Sequence, residues 1–203
     1  MTTLENLIQH FERFPGVGPR QARRFAHHLL TNESSDNQQL ADLIGRLKDN
    51  VATCTSCFRF YTKNGGGNLC HICADERRDH ARLTIVERDS DITPIERSDT
   101  YDGLYFVLGG TAPLLESEDT KKLRGGALKR IVTERAGDLS EIILAFSVNP
   151  DGENTARFVR SIISEIAEEH EITITQLGRG LSTGSELEYA DPETIKNALE
   201  NRH

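Results

Sequence analysis

Four cysteines carry the strongest chemical signal in this chain, spaced as Cys54-x2-Cys57-x12-Cys70-x2-Cys73. A C-x2-C pair brings two thiolates to one ion, and two such pairs supply all four corners of a tetrahedron. Four protein ligands leave no open coordination position, so the spacing predicts one structural zinc per chain rather than a catalytic metal. The intervening FRFYTKNGGGNL reads as a hairpin with Gly65, Gly66 and Gly67 at its tip. His71, inside the second pair, reads as a solvated neighbour rather than a ligand.

A second constellation lies near the N-terminus. Phe14-Pro15-Gly16-Val17-Gly18-Pro19 separates two helical patterns. Gly16 and Gly18 allow backbone conformations closed to other residues. The amides of such a turn, with the helix start that follows, can face a phosphate oxygen. Arg20, Arg23 and Arg24 stand at i, i+3 and i+4, which places them on one helix face. The arrangement resembles the helix-hairpin-helix motif, which contacts the DNA backbone without reading sequence. A plain glycine turn between two core helices is the alternative.

The third constellation is acidic. Glu87 directly follows the apolar run LTIV, and Asp151-Gly152-Glu153 follows EIILAF after a short loop. In a parallel sheet, the loops at the carboxyl ends of the strands form the usual site, and three acids gathered there can hold Mg²⁺. The layout resembles the Toprim fold of topoisomerases and primases, in which a glutamate and a later D-x-D pair bind metal. This chain departs from that pattern with D-G-E. Solvated loop acids in an acidic domain are the alternative. No nucleophile is evident beside them: Tyr101 and Tyr105 lie near or in a strand with no neighbouring base in sequence. A G-x-x-x-x-G-K-[ST] phosphate loop is absent, and GRGLSTG (178–184) alone is a weak signal.

Helices and strands must position these groups. Leu4, Leu7, Ile8, Phe11 and Phe14 mark an amphipathic helix over 3–13. A second helix starts near Pro19, with Ala22, Phe25, Ala26, Leu29 and Leu30 on its buried stripe. TNESSDN (31–37) reads as a polar loop, and Leu40, Leu43, Ile44, Leu47 and Val51 mark a third helix. From 83 onward, LTIV, YFVL, EIILAF and ITITQL read as buried strands. Helical stretches fall between them at roughly 89–97, 118–136 and 153–170. This alternation implies a mostly parallel α/β sheet. A Gly-rich turn and a short helix near 192–200 close the chain.

At 203 residues, with 36% hydrophobic and 28% charged, the chain suits two or three small domains better than one thick core. The net charge of −8 looks wrong for a nucleic-acid binder, but it is unevenly distributed. Residues 1–82 hold 11 Lys and Arg against 9 Asp and Glu, a net of +2, while 83–203 hold 13 against 23, a net of −10. The first part can meet phosphate, and the second repels it unless its cations gather on one face. No apolar run approaches the roughly 20 residues of a membrane span. The start MTTLENLIQHFERF carries acids and no basic region, unlike a signal peptide, so a cytoplasmic protein is expected. In that reducing compartment, four cysteines favour metal over disulfides.

Taken in order, these features resemble the RecR recombination mediator family over nearly the whole chain. The stretches that carry the resemblance are FPGVGPRQARRFA, the Cys54–Cys73 finger with its trailing ADERRD, TIVE (84–87), YFVLGG (105–110), DGENTA (151–156), GRGLSTGSELEYAD (178–191) and TIKNALENR (194–202). The resemblance implies a multidomain α/β protein in four parts. These are a helical helix-hairpin-helix DNA-binding region (1–52), a four-Cys zinc finger (53–80), a Toprim domain (81–178), and a C-terminal Gly-rich turn and helix (179–203) serving contacts between subunits.

It further implies a non-enzymatic scaffold of gap repair that assembles as a ring-like tetramer around DNA. With RecO or RecF, such a scaffold helps load RecA at single-strand gaps. On this view Gly16, Gly18, Arg20, Arg23 and Arg24 contact DNA, Cys54, Cys57, Cys70 and Cys73 hold zinc, and Glu87, Asp151 and Glu153 form a partner surface. Any Mg²⁺ at those acids is not expected to be catalytic. Phe146-Ser147-Val148-Asn149-Pro150 departs from the Asn-Pro-Thr-type run that the family often carries before its acidic pair. Two rivals remain. One is a Mg²⁺-dependent Toprim nuclease or nicking enzyme using the three acids. The other is a zinc-ribbon regulator of specific DNA, which needs a base-reading helix that the sequence does not display.

Elemental analysis of protein purified without chelator should find one zinc per chain. Absence of metal in folded protein would contradict the cysteine reading.

Overall fold

The computed structural model describes residues 2–63, 67–113, 122–178, 181, 184, 186–190 and 192–200. The chain divides into two compact units, Met1–Val51 and Ala52–His203. No described helix is long and apolar enough to cross a membrane.

The first unit is helical: α1 (Thr3–Glu12), α2 (Pro19–Thr31) and α3 (Ser34–Asn50). A capping box starts α1. The Thr2 hydroxyl accepts from the Glu5 amide, and the Thr2 amide donates to the Glu5 carboxylate at 2.7 Å. Pro19 opens α2 at a position where a missing N–H costs nothing. The stripe expected on α2 is only partly realised: Ala22 and Ala26 are fully buried, whereas Phe25 is 45% and Leu30 67% exposed. The expected polar loop 31–37 shrinks to Asn32 and Glu33, because α3 begins at Ser34. Small polar residues in a helix's first turn look like loop by composition. Here Asn37 Nδ2 also donates to the Leu29 carbonyl at 2.8 Å, tying α3 to the end of α2.

In the second unit, β1 (Val51–Thr53) and β2 (Phe60–Thr62) form a two-stranded ribbon. These strands flank the first cysteine pair; of the glycine tip expected at Gly65, Gly66 and Gly67, the first two lie outside the described residues. Then follow β3 (Asp79–Val86), a 3₁₀ turn (Asp89–Asp91) with α4 (Ile92–Arg97), and β4 (Gly103–Val107). Next come α5 (Gly125–Arg135), β5 (Glu141–Ala145), α6 (Pro150–Glu169) and β6 (Thr173–Gln176). A 3₁₀ turn (Leu187–Tyr189) and α7 (Pro192–Glu200) complete the described chain. The four-stranded sheet has the order β4-β3-β5-β6 and is parallel throughout. Every residue of β4 is buried, as are Leu83–Val86 of β3. Burial at successive residues requires cover on both faces, which explains runs such as LTIV with no apolar–polar alternation.

Two helix boundaries differ from those read in the sequence. Within the expected helix 118–136, the described helix starts at Gly125, and residues 118–121 lie outside the described residues. A Cβ on Gly125 would meet Ile162 Cδ1 at 2.9 Å, so α5 begins where it crowds α6. The expected helix 153–170 begins earlier, at Pro150: Asn149 Oδ1 accepts from the Gly152 amide at 2.8 Å, and Pro150 sits in the first turn. Asp151 and Glu153 therefore stand on a helix rather than in a loop. On α6, Ala156, Val159, Ile163 and Ile166 are buried and Glu165, Glu168 and Glu169 are exposed on the outer side.

Gly152 allows α6 to start there. A Cβ at this position would lie 1.9 Å from the Ser147 carbonyl oxygen. Gly152→Ala should destabilise the protein by about 1–3 kcal/mol, as overpacking does. Gly126→Ala, whose added Cβ meets nothing within 4 Å, should leave stability unchanged or slightly raised. Thermal melts of the two variants check this.

Candidate functional site

The second unit gathers its four cysteines at one point. The first pair is closed by the Cys54 amide donating to the Arg59 carbonyl at 2.8 Å and the Phe58 amide to the Cys54 carbonyl at 3.0 Å. Phe58 adopts φ 62° to make that turn. The second pair docks through the Cys70 amide, which donates to Cys54 Sγ at 3.4 Å. The Sγ atoms of Cys57 and Cys70 lie 3.6 Å apart, and all four Sγ atoms lie within 4.8 Å of one another. With Zn–S near 2.3 Å, a tetrahedron has edges of about 3.8 Å, so the donor set fits zinc. Cys54, Cys57 and Cys70 are buried and Cys73 is half-buried.

The thiols titrate as one coupled group. The Cys57 thiol holds Cys54 far below the ordinary thiol range, and Cys54 in turn drives Cys57 far above it. Four thiolates in one buried site need a cation to balance them. His71 is exposed and does not belong to the cluster.

The cysteine cluster abuts the sheet through its edge. In β4 the amide and carbonyl of Val107 face away from β3. The amide donates to the Cys57 carbonyl at 2.8 Å, and the carbonyl accepts from Arg124 Nη1 at 2.8 Å. Phe58 packs edge-on against Phe106 with centroids 5.5 Å apart, and the Arg124 guanidinium lies over the Phe58 ring at 5.3 Å. Asp89 accepts from the Phe60 amide at 3.1 Å and pairs with Arg59 at 3.7 Å. Burial pushes the Asp89 carboxyl up, although the Phe60 amide and Arg59 oppose it.

Past the finger, Arg78 Nη1 donates to the Gly103 carbonyl at 2.8 Å and pairs with Glu96. The Tyr105 hydroxyl donates to Glu96 at 2.6 Å. Burial pushes Glu96 up, but the hydrogen bonds from Arg78 and Tyr105 outweigh it and hold the carboxyl low. Tyr105 is therefore committed to structure; burial and this bond raise its hydroxyl far above the usual phenol.

The acids stand at the carboxyl ends of β3 and β5 without forming a chelate. Glu87 is buried and accepts from the Ser147 amide at 3.0 Å. Asp151 and Glu153 stand on the first turn of α6, both exposed. A pocket of ≈ 190 Å³ is lined by Phe146, Ser147, Val148, Glu153 and Gln176, with neither Glu87 nor Asp151 among its walls. Among the described residues, the cysteines are the only group of three or more ligand side chains placed to share one ion.

Sequence reasoning missed what α6 does beside these acids. The Thr155 hydroxyl, fully buried, donates to the Asp151 carbonyl at 2.7 Å and accepts from the Ala112 amide at 2.9 Å. Asn154 Nδ2 donates to the carbonyls of Ala112 and Pro113 at 3.0 and 2.9 Å. The pair clamps the segment after β4 to the helix. A legible signal was Thr155 itself, a polar residue on the apolar Gly152–Ala156–Val159 stripe.

In the first unit, the Val17 amide donates to the Phe14 carbonyl at 3.1 Å across a turn with Pro15 and Gly16 at its centre. Gly16 has φ +76°, as a type II turn requires at that position. No side chain caps α2, and Arg20, Arg23 and Arg24 are all exposed beside its start. Neither Gly16 nor Gly18 is crowded: an added Cβ would meet nothing within 4 Å.

Comparison with known proteins agrees with this arrangement. Residues 4–47 match the family model for the RecR helix-hairpin-helix, 81–178 that for the Toprim domain, and 180–203 that for the RecR C-terminal region. The chain is 36% identical over 200 residues to Recombination protein RecR of Rubrobacter xylanophilus, covering 98% of this chain and 96% of that one. It is 35% identical over 200 residues to the protein of the same name from Paenarthrobacter aurescens, covering 98% and 95%. The protein of that name from Mycolicibacterium smegmatis is 34% identical over 206 residues, covering 98% and 96%.

The Thr155 clamp is open to a direct test. Thr155→Val keeps the shape and leaves the Ala112 amide without its partner, which costs about 1–3 kcal/mol. Hydrogen exchange should show Ala112 deprotected while the amides of β5 hold.

Proposed function

The chain belongs to the RecR family of recombination proteins and has a role in recombinational repair; from that premise we propose that it is a DNA-binding scaffold for repair of single-strand gaps, not an enzyme. It acts with RecO, RecF or both to help load RecA. The observation that carries this reading is the start of α2: a glycine turn, a helix N-terminus without a side-chain cap, and three exposed arginines. Backbone amides and guanidinium groups there meet phosphate oxygens and ignore base identity. Gly16, Gly18, Arg20, Arg23 and Arg24 are the residues that touch DNA.

The other assignments follow. Zinc sits on Cys54, Cys57, Cys70 and Cys73 as a structural ion, with every coordination position taken by protein. Glu87, Asp151 and Glu153 serve a protein partner: two project from the first turn of α6 and the third is engaged by the Ser147 amide. A nuclease reading would need the three carboxylates to converge on one Mg²⁺ that polarises the phosphodiester. The four parts divide at 1–52, 53–80, 81–178 and 179–203, and the protein works in the cytoplasm.

Assembly into a ring-like tetramer resolves the charge conflict by presenting basic N-terminal surfaces to DNA. Exposed apolar side chains support self-association. Leu40, Leu43, Ile44 and Leu47 form a stripe along α3 that is 42–64% exposed, and Leu187 and Tyr189 are open near the C-terminus. Of the first-helix positions, Leu4 and Leu7 and Ile8 are already half-buried.

DNA binding should be independent of sequence and sensitive to salt. Replacing Arg20 and Arg24 by Ala should weaken binding to all duplexes alike and lower the log–log salt slope by about 0.9 for each phosphate no longer neutralised. Fluorescence anisotropy across a salt series reads this, and a sequence-selective loss would contradict it. The same preparation should leave gapped, nicked and supercoiled DNA intact with Mg²⁺ or Mn²⁺; cleavage abolished by Glu87→Ala would establish the nuclease instead.

A further inference from the structure

The zinc-finger segment carries a surface that none of the roles above uses. A groove of ≈ 650 Å³ opens on it, walled by Arg59, Phe60, Tyr61, Leu69 and His71, with no acid among its lining residues. The absence of acid is notable in a unit whose residues 83–203 hold 23 of them. Phe60 is 57% exposed and Leu69 41% exposed.

The Phe60 ring is presented on a fixed backbone. Its amide donates to the Asp89 carboxylate at 3.1 Å, and the neighbouring Tyr61 hydroxyl donates to the Gly67 carbonyl at 2.7 Å. An exposed ring whose main chain is already ordered loses little entropy on stacking. Arg59 lines the groove with its side chain 21% exposed; its Nε pairs with Asp89 at 3.7 Å, and its buried Nη1 has no hydrogen-bond partner.

We propose that this groove is a platform for single-stranded nucleic acid, with a base stacked on Phe60 and a backbone phosphate drawn to Arg59. Stacking on an aromatic ring tolerates every base, and a cation alongside tracks the phosphate. Duplex bases are already stacked on one another, so the platform distinguishes single strand from duplex where the α2 turn does not. The inference rests on the DNA-binding reading of this protein and adds a second site that recognises the strand exposed in a gap.

The chain has no Trp, so Phe60→Trp places a single tryptophan, excited apart from the tyrosines, at the proposed stacking position. Titration of this variant with oligo(dT) at low salt should quench its emission, and titration with blunt duplex should not. Phe60→Ala should weaken oligo(dT) binding roughly tenfold by anisotropy while leaving duplex affinity unchanged. Oligo(dT) that binds with no quenching, and equally well to Phe60→Ala, would overturn the platform and leave the α2 site standing. A wild type that binds neither DNA would overturn the DNA-binding reading and the platform with it. Emission that shifts with protein concentration in the absence of DNA would assign the groove to a second copy of the chain and overturn the proposal.

Discussion

A parallel sheet leaves the outward peptide groups of its edge strand needing partners, and β4 is such an edge with every residue buried. The solution here is local. The Val107 amide reaches the Cys57 carbonyl, its carbonyl takes Arg124, and the Gly103 carbonyl takes Arg78. All three partners are held by structure outside the sheet. Cys57 belongs to the four-cysteine cluster, Arg124 lies over the Phe58 ring within the first cysteine turn, and Arg78 is anchored by Glu96. A finger too small to build its own core thereby becomes part of a larger one, and Cys54, Cys57, Cys70 and Ile72 are buried in the same apolar cluster as the sheet. The four-cysteine cluster is thus the cover of a sheet edge as much as the organiser of a finger.

A second close approach fixes the acidic end. α6 starts against the Ser147 carbonyl, which only a residue without a Cβ at position 152 allows. The middle residue of D-G-E is therefore dictated by packing. With the helix start fixed, Asp151 and Glu153 project from its first turn, Thr155 and Asn154 take hold of Ala112 and Pro113, and Glu87 meets the Ser147 amide. Acids at a helix N-terminus are also favoured by the helix dipole, so their presence needs no metal.

Much of this was legible. The cysteine spacing marked the cluster, apolar runs marked β3, β4 and β5, and Pro-Gly punctuation marked the turn before α2; ITITQL marked β6, but as a buried strand, whereas Thr173–Gln176 are half-buried or exposed at the sheet's other edge. Helix beginnings were harder. Ser34-Ser35-Asp36 has loop composition yet opens α3, and Asn149-Pro150-Asp151 reads equally as loop or as cap and first turn. The pairing of β1 with β2 across the first knuckle was hidden because each strand has three residues, too few for a pattern. The edge bonds of Arg78 and Arg124 were not legible at all, since a charged side chain carries no sequence mark of the carbonyl it will find. Sequence spacing placed Glu87, Asp151 and Glu153 at neighbouring strand ends, but it could not say that Glu87 turns to a backbone amide.

The central claim is that the four-thiol centre holds the edge of β4. Hydrogen exchange at the Val107 amide tests it, measured on the native protein and again after the metal is stripped by chelator. The account predicts that Val107 and Phe60 lose protection together with the finger amides while Ile143 in β5 remains protected. Unchanged protection at Val107 in protein shown to be free of metal would contradict it.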